Sequence, residues 1–182
     1  YGGWRVGKDG RRFRCWKLRT MEEGADEEVR EEGELRGRWL RNGYKVPGDP
    51  RVTRPGRWLR STYLDELPQL VNVLEGSMTL VGPRPPLEEE LSEFGDDADV
   101  LLSVRPGIFG AWNSLGRARP GYPERARIEL DYVRNRSLRR DAAILLRSIP
   151  TVVRGQNGRM SRRGRGRRGS RSGDDRRRGR GP

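Results

Sequence analysis

Asp65 and Glu66 stand side by side in "TYLDELPQLVNVLEGSMTLVGPRPP", residues 62–86, inside an otherwise apolar stretch. On a helix, neighbouring side chains point about 100° apart, so adjacent acids suit two different tasks better than one shared proton. One carboxylate can attack or take a proton while the other holds a divalent cation. Mg²⁺ is commonly bound by one or two carboxylates together with substrate phosphates. Arg84, fixed between Pro83 and Pro85, and Arg60, Arg105 and Arg117 add guanidinium groups suited to bidentate phosphate contact. Together these describe a site for a pyrophosphate. A plainer reading stays open beside it. An acidic pair at a helix start also serves as a cap and a dipole partner, and Gln69 and Asn72 can simply satisfy buried backbone groups.

Composition narrows the chemistry further. The 182 residues include no histidine and one cysteine, Cys15. An imidazole base, a His-ligated metal, a Ser-His-Asp triad, a Cys-rich zinc site and an internal disulfide are therefore excluded. Chemistry must rest on carboxylates, Arg, Lys, hydroxyls or a metal held by oxygen. Apolar residues make up 32% of the chain and concentrate in residues 58–153, where they can bury a core. The net charge of +13 is concentrated too, since residues 155–182 hold eleven Arg against Asp174 and Asp175, a local +9. Leu67 to Leu74, the longest uncharged apolar run near the motif, is too short for a bilayer, which takes about 20 residues.

The elements that must position the acids follow from pattern. The opening "YGGWRVGKDGRRFRCWKLRTM" reads as two edge strands of a hairpin around a turn at Gly7 to Gly10. Residues 21–47, rich in Glu, Arg and Gly, read as a solvated loop with one short helix at most. Leu64, Leu67, Val71 and Leu74 fall three or four apart, which predicts a helix capped by Thr62 and ended by Gly76. Asp65, Gln69 and Asn72 form a polar stripe beside the apolar one. "SMTLVGPRPP" predicts a short strand entering a stiff polyproline segment. An acidic helix is expected over 87–99, a longer one over 122–136, and an amphipathic one carrying Ala142, Leu145, Ile149 and Val152 on one side. The fold class expected is α/β, mostly helical and compact, with short strands and irregular Pro/Gly-rich loops. Its catalytic domain would be residues 1–155, followed by a disordered basic tail over 156–182.

"DPRVTRPGRWLRSTYLDELPQLVNVLEGSMTLVGPRPP", then "RPGIFGAWNSLGR", then "LDYVRNRSLRRDAAILLRSI" resemble the bacterial sugar transferase family, the monotopic polyprenyl-phosphate phosphoglycosyl transferases. "GKDGRRFRCWKLRTM" joins the match, which runs in order over about residues 4 to 155. The resemblance implies transfer of a sugar phosphate from a nucleoside diphosphate sugar, commonly a UDP-sugar, to polyprenyl phosphate, starting exopolysaccharide, capsule, O-antigen or glycoconjugate synthesis. It implies Mg²⁺ and a covalent phosphosugar intermediate. On these positions Asp65 would be the nucleophile and Glu66 its metal-associated partner, with Lys17, Arg60, Arg84 and Arg117 lining the phosphates. Glu129, in "ELDY", stands where the family has Asp, as a further substrate-binding position, and Trp112-Asn113 stands for its "WQ".

The same resemblance implies the cytoplasmic face of the bacterial inner membrane. The family's hydrophobic membrane segment would precede "YGGWRVG" and is absent from this chain, so contact with an anionic membrane surface would fall to residues 141–153 and the basic tail. Two other readings stand beside this one. A truncated member without turnover would carry the same motifs. A nucleic-acid-binding protein would use the Arg/Gly tail. That tail contains no aromatic residue for stacking, and 36 Arg against three Lys follow equally from GC-rich coding, so nucleic acid is not the expected partner.

Overall fold

The computed structural model describes residues 1–30, 33–41, 44, 46 and 48–154, the side chains of 30, 41, 117, 118 and 149–154 excepted. The expected tail, residues 156–182, lies outside the described residues. Strand β1 (Gly2–Val6) pairs antiparallel with β2 (Arg12–Trp16), Gly2 opposite Trp16 and Val6 opposite Arg12. Asp9 and Gly10 turn the chain with positive φ of 56° and 73°, a region that Asp and Gly tolerate. This is the expected hairpin.

The described part of the segment 21–47 holds more regular structure than its composition suggests. Helices α1 (Ala25–Arg30) and α2 (Glu34–Arg41) fill most of its described part. Ala25 and Val29, four apart, are both buried. Arg51 is buried over them, donating Nη1 to the Ala25 carbonyl at 2.5 Å while Nη2 pairs with Asp49 at 2.6 Å. Two small apolar side chains and one enclosed ion pair replace the core that the sequence lacks here.

Helix α3 (Arg54–Thr62) starts at Thr53, whose Oγ1 accepts from the Gly56 amide at 3.0 Å. Gly56 lets the helix lie against Thr20, since a Cβ there would stand 2.0 Å from the Thr20 carbonyl oxygen. Thr62 therefore closes α3 and does not cap a helix of its own. Tyr63 takes the left-handed conformation (φ 58°), Leu64–Glu66 form one 3₁₀ turn, and α4 (Gln69–Leu74) follows Pro68 and ends before Gly76 at φ 78°. The single helix predicted over this stretch is thus broken at its functional end.

Its faces are also reversed. Asp65, Gln69 and Asn72 are buried, at 8%, 3% and 1% exposure, while Leu67, Leu70, Val71 and Leu74 are exposed. The 3.6-residue period finds two faces but does not say which one meets the protein.

Strand β3 (Thr79–Val81) runs parallel to β4 (Gly107–Phe109), Thr79 opposite Gly107 and Val81 opposite Phe109. Between them the acidic segment is a 3₁₀ run, Glu89–Asp97, kinked at Gly95, leading into α5 (Ala98–Leu102). Helices α6 (Glu124–Arg134) and α7 (Leu138–Arg154) close the domain. One core cluster joins Phe94 and Leu101 to Ala126 and Leu130, and a second joins Val104 to Tyr132, Val133 and Ile144 under Val81 and Phe109. On α7 the inward residues are Ile144 and Ser148, whereas Ala142 is exposed. Two two-stranded sheets among seven described helices make the expected mostly helical α/β fold.

The two threonines separate the predicted cap from the observed one. Thr53→Ala should cost about 1 kcal/mol in urea unfolding, the price of an N-cap. Thr62→Ala removes only back-bonds to the Trp58 and Leu59 carbonyls inside α3 and should cost less. The reverse order would restore Thr62 as the cap.

Candidate active site

Strand β2 delivers the first cation. Beyond its last residue, the Leu18 amide donates to the Asp65 carbonyl at 2.9 Å, setting Lys17 against the acidic turn. Lys17 Nζ then meets Glu66 Oε1 at 2.9 Å, both side chains about three-quarters shielded from water. Asn72 fixes this register from α4. Its Oδ1 accepts from the Trp16 amide at 2.9 Å and its Nδ2 donates to the Arg14 carbonyl at 2.8 Å, satisfying the edge of β2 that β1 does not cover. The polar stripe of the sequence is therefore a seam between strand and helix.

Arg60 comes from α3 and is steadied by Thr20, to whose Oγ1 it donates Nε at 2.8 Å. The Thr20 carbonyl in turn accepts the Thr53 amide at 3.1 Å, so the start of α3 and the guanidinium near its end share one anchor. Arg84 comes from the polyproline segment, held by the Val6 amide on the Pro86 carbonyl at 3.0 Å and the Gly107 amide on the Pro83 carbonyl at 2.9 Å. Its Nε is buried and has no partner among the described residues. An orphan guanidinium donor that deep is what an absent anion would satisfy.

The two acids are electrostatically unlike. Burial, and then the charge of Glu66, push the Asp65 carboxyl above the ordinary carboxylate range, with Lys17 and Arg60 opposing. Burial would raise Glu66 as well, but the charge and hydrogen bond of Lys17, with Arg84 and Arg119 behind them, hold it below its ordinary value. Glu66 is thus the more firmly ionised acid of the pair, and Asp65 the more basic one. Among the described residues no group of three or more His, Cys, Asp or Glu could hold a metal.

Lys17, Arg60, Asp65, Glu66 and Arg84 therefore converge from four separate segments. Glu129 is not one of this group. At 1% exposure it sits beneath the Arg84 loop, its Oε1 accepting the Arg84 amide at 3.4 Å and its Oε2 without a partner among the described residues. The backbone of Arg117 belongs to the 3₁₀ segment Asn113–Ala118, and its side chain lies outside the described residues. Sequence reasoning missed Tyr63 and Arg119, whose phenol and guanidinium meet at 3.0 Å beside the dyad. Position next to "LDE" points to Tyr63; nothing in the sequence points to Arg119, 56 residues away. It also missed the buried Glu90–Arg125 pair, where Arg125 lies 4.6 Å from the Trp112 ring and 4.8 Å from that of Tyr122.

Glu129 carries a pH signature. Burial pushes its carboxyl up to about 7 from an ordinary 4.5, with Arg125 opposing. The folded state therefore keeps a proton that the unfolded chain has already released. This contribution is full below about pH 4.5 and is lost as pH rises through about 7, up to about 3 kcal/mol in all. Glu129→Gln, which cannot ionise, should lack that loss when urea unfolding is compared at about pH 5 and about pH 8. A variant with the parent's pH slope would assign the ionisation to another group.

The family described as bacterial sugar transferase has a sequence model that matches residues 1–155. The chain is 43% identical over 158 residues to a UDP-galactose-lipid carrier transferase of Erwinia amylovora, covering 85% of this chain and 33% of that protein. It is 42% identical over 158 residues to an undecaprenyl-phosphate galactose phosphotransferase of Salmonella typhimurium, with the same 85% and 33% coverage. Against the exopolysaccharide production protein ExoY of Rhizobium meliloti it is 42% identical over 156 residues, 84% of this chain and 69% of that protein. The chain thus spans about a third of the first two relatives. With the match running from the first strand to the end of α7, this chain belongs to the bacterial sugar transferase family.

Proposed function

We propose that this chain transfers a sugar phosphate from a UDP-sugar to polyprenyl phosphate, at the cytoplasmic face of the bacterial inner membrane, through a covalent phosphosugar on Asp65. The observation that carries the reading is the unequal acid pair, a buried Asp65 beside a Glu66 tethered to Lys17, ringed by Arg60 and Arg84. Donor names among the relatives agree with it, since the Erwinia protein is a UDP-galactose-lipid carrier transferase and the Salmonella one acts on undecaprenyl phosphate.

In the first step an Asp65 oxygen attacks the phosphorus that bears the sugar. A new Asp–O–P bond forms, the bridging P–O bond of the diphosphate breaks, and UMP leaves with the electron pair. In the second step a phosphate oxygen of polyprenyl phosphate attacks the same phosphorus and returns the carboxylate of Asp65. Two displacements let one site meet a soluble donor and a lipid acceptor in turn. Lys17, Arg60 and Arg84 offset the charge that develops on the phosphoryl oxygens. Arg117 joins them by its place in the family pattern. Glu129 serves the substrate site from beneath, by holding the backbone of Arg84.

The donor set fits Mg²⁺. Glu66 keeps one oxygen outside its bond to Lys17 and stays ionised, and substrate phosphates would complete the coordination, as is common for this ion. Bound there, Mg²⁺ supplies positive charge to the diphosphate.

The exposed face of α4 supports contact with a membrane. Leu67, Leu70, Val71 and Leu74 form an apolar patch that begins one residue after Glu66, with Leu74 at 88% exposure. A helix of six residues is too short to cross a membrane, so this face would lie in the interface and bring the lipid acceptor to the dyad.

Three experiments test the reading. Intact-protein mass spectrometry after incubation with a panel of UDP-sugars should show a phosphosugar adduct on the parent and none on Asp65→Asn. Glu66→Gln should retain a slow activity that rises with added Mg²⁺. If both acids only stabilise the helix start, each variant would instead lose about 0.5–1 kcal/mol of stability with no selective chemical defect. For the membrane face, Leu70→Asp with Leu74→Asp should weaken co-sedimentation with phosphatidylglycerol vesicles by at least about tenfold, because burying a charge in the interface opposes insertion. Unchanged sedimentation would remove α4 from membrane contact.

A further inference from the structure

Arg119 leaves the 3₁₀ segment Asn113–Ala118 in an extended conformation and is half-buried. Its guanidinium is held from several sides. Nη2 donates to the Tyr63 hydroxyl at 3.0 Å, Nη1 to Asn113 Oδ1 at 3.4 Å and Nε to the Gly116 carbonyl at 2.5 Å. The group also lies 5.3 Å from the Trp112 ring centre. No carboxylate among the described residues forms an ion pair with it, although its charge reaches Glu66 and helps to hold that acid ionised. A guanidinium has five N–H donors. Three are engaged here by neutral acceptors, which aim the group without neutralising it.

Tyr63 is the other half of the arrangement. It stands two residues before Asp65 with φ 58°, a conformation that residues other than glycine rarely adopt. The left-handed turn sends the phenol towards Arg119 and the main chain onward into the acidic 3₁₀ turn. Asn113, which stands where the family resemblance implies glutamine, accepts from Arg119 Nη1 and so adds to the same clamp.

We propose that Arg119 is a further phosphate-binding residue of the donor site and that Tyr63 is the positioning residue that aims it. The inference rests on the donor-site reading above. The two N–H groups without an acceptor among the described residues, and a charge beside Glu66 that no described carboxylate pairs, suit the diphosphate of a nucleotide sugar. Trp112 and Tyr63 keep the guanidinium in one orientation before the donor arrives, so little rotamer entropy remains to be lost on binding.

The test uses the full chain, UDP as the binding probe in titration calorimetry, and adduct formation from the UDP-sugar that labels the parent. Arg119→Gln should raise the Kd for UDP and the donor KM by about tenfold, the loss of one charge-assisted hydrogen bond, with kcat within about threefold. Arg119→Lys should recover part of that affinity. Tyr63→Phe should raise KM by about threefold, and adding it to Arg119→Gln should have no further effect, because the phenol acts only through the guanidinium. A lowered melting temperature with unchanged UDP affinity in Arg119→Gln would reduce the cluster to a loop staple and overturn the proposal, leaving the donor-site reading intact. A parent chain that neither binds UDP nor forms an adduct would bring down both. Should Arg119→Gln fail to fold, Tyr63→Phe decides: a KM and Kd equal to the parent's overturn the positioning role.

Discussion

The side-chain amide of Asn72, on α4, bonds directly to the backbone of β2. It accepts from the backbone of β2 at Trp16 and donates to that of Arg14, while its own carbonyl and Ser77 close the turn behind it. At 1% exposure the Asn72 side chain has no water as an alternative partner. Leaving one of its polar atoms unpaired costs about 1–3 kcal/mol, whereas making the bond adds only about 1, so the bridge fixes register more than it adds stability. Register is what the site needs. Lys17 is one residue past the strand, and Asp65 and Glu66 precede the helix by one turn, so a slip of β2 against α4 would part the ammonium from the carboxylate.

From that alignment comes the division between the two acids. In water they would titrate almost together. Here burial and mutual repulsion lift Asp65, while the contact with Lys17 depresses Glu66. The cations that permit this converge from β2, α3, the polyproline segment and the loop after Asn113, none of them neighbours in sequence. Lys17 is held by Glu66 itself, whereas the three guanidinium groups are each steadied by a neutral group or by backbone: Arg60 by Thr20, Arg84 by Pro83 and Pro85, Arg119 by Tyr63. Positive charge therefore accumulates beside the dyad faster than the dyad can cancel it, a state that favours an incoming phosphate.

Much of this was legible beforehand. The hairpin, the short strand before "GPRPP", the late helices and the acid pair with its arginines all have local signatures in turn residues, period or composition. The errors have physical causes. Leucines at helical spacing on α4 look like core because apolar faces commonly are, yet Asn72 and Gln69 win the interior there through backbone partners or packing that periodicity does not register. Residues 21–47 look unstructured because the buried apolar residues among those described there are only Ala25 and Val29, under a buried Arg51–Asp49 pair, a long-range event with no local trace. Arg119 is illegible for the same reason. A guanidinium and a phenol 56 positions apart leave no periodic mark.

The parallel pair β3–β4 brings two glycines so close that a Cβ on Gly107 would lie 2.1 Å from the Gly82 nitrogen. Main chain there touches main chain, with no side chain between to compress, rotate or slide. The segment immediately after Gly82 is Pro83-Arg84-Pro85, whose backbone is stiff in its own right and whose amide rests on Glu129. The wall that carries Arg84 is thus main chain locked against main chain, and any side chain added at Gly82 or Gly107 would have to part the two strands before it could fit.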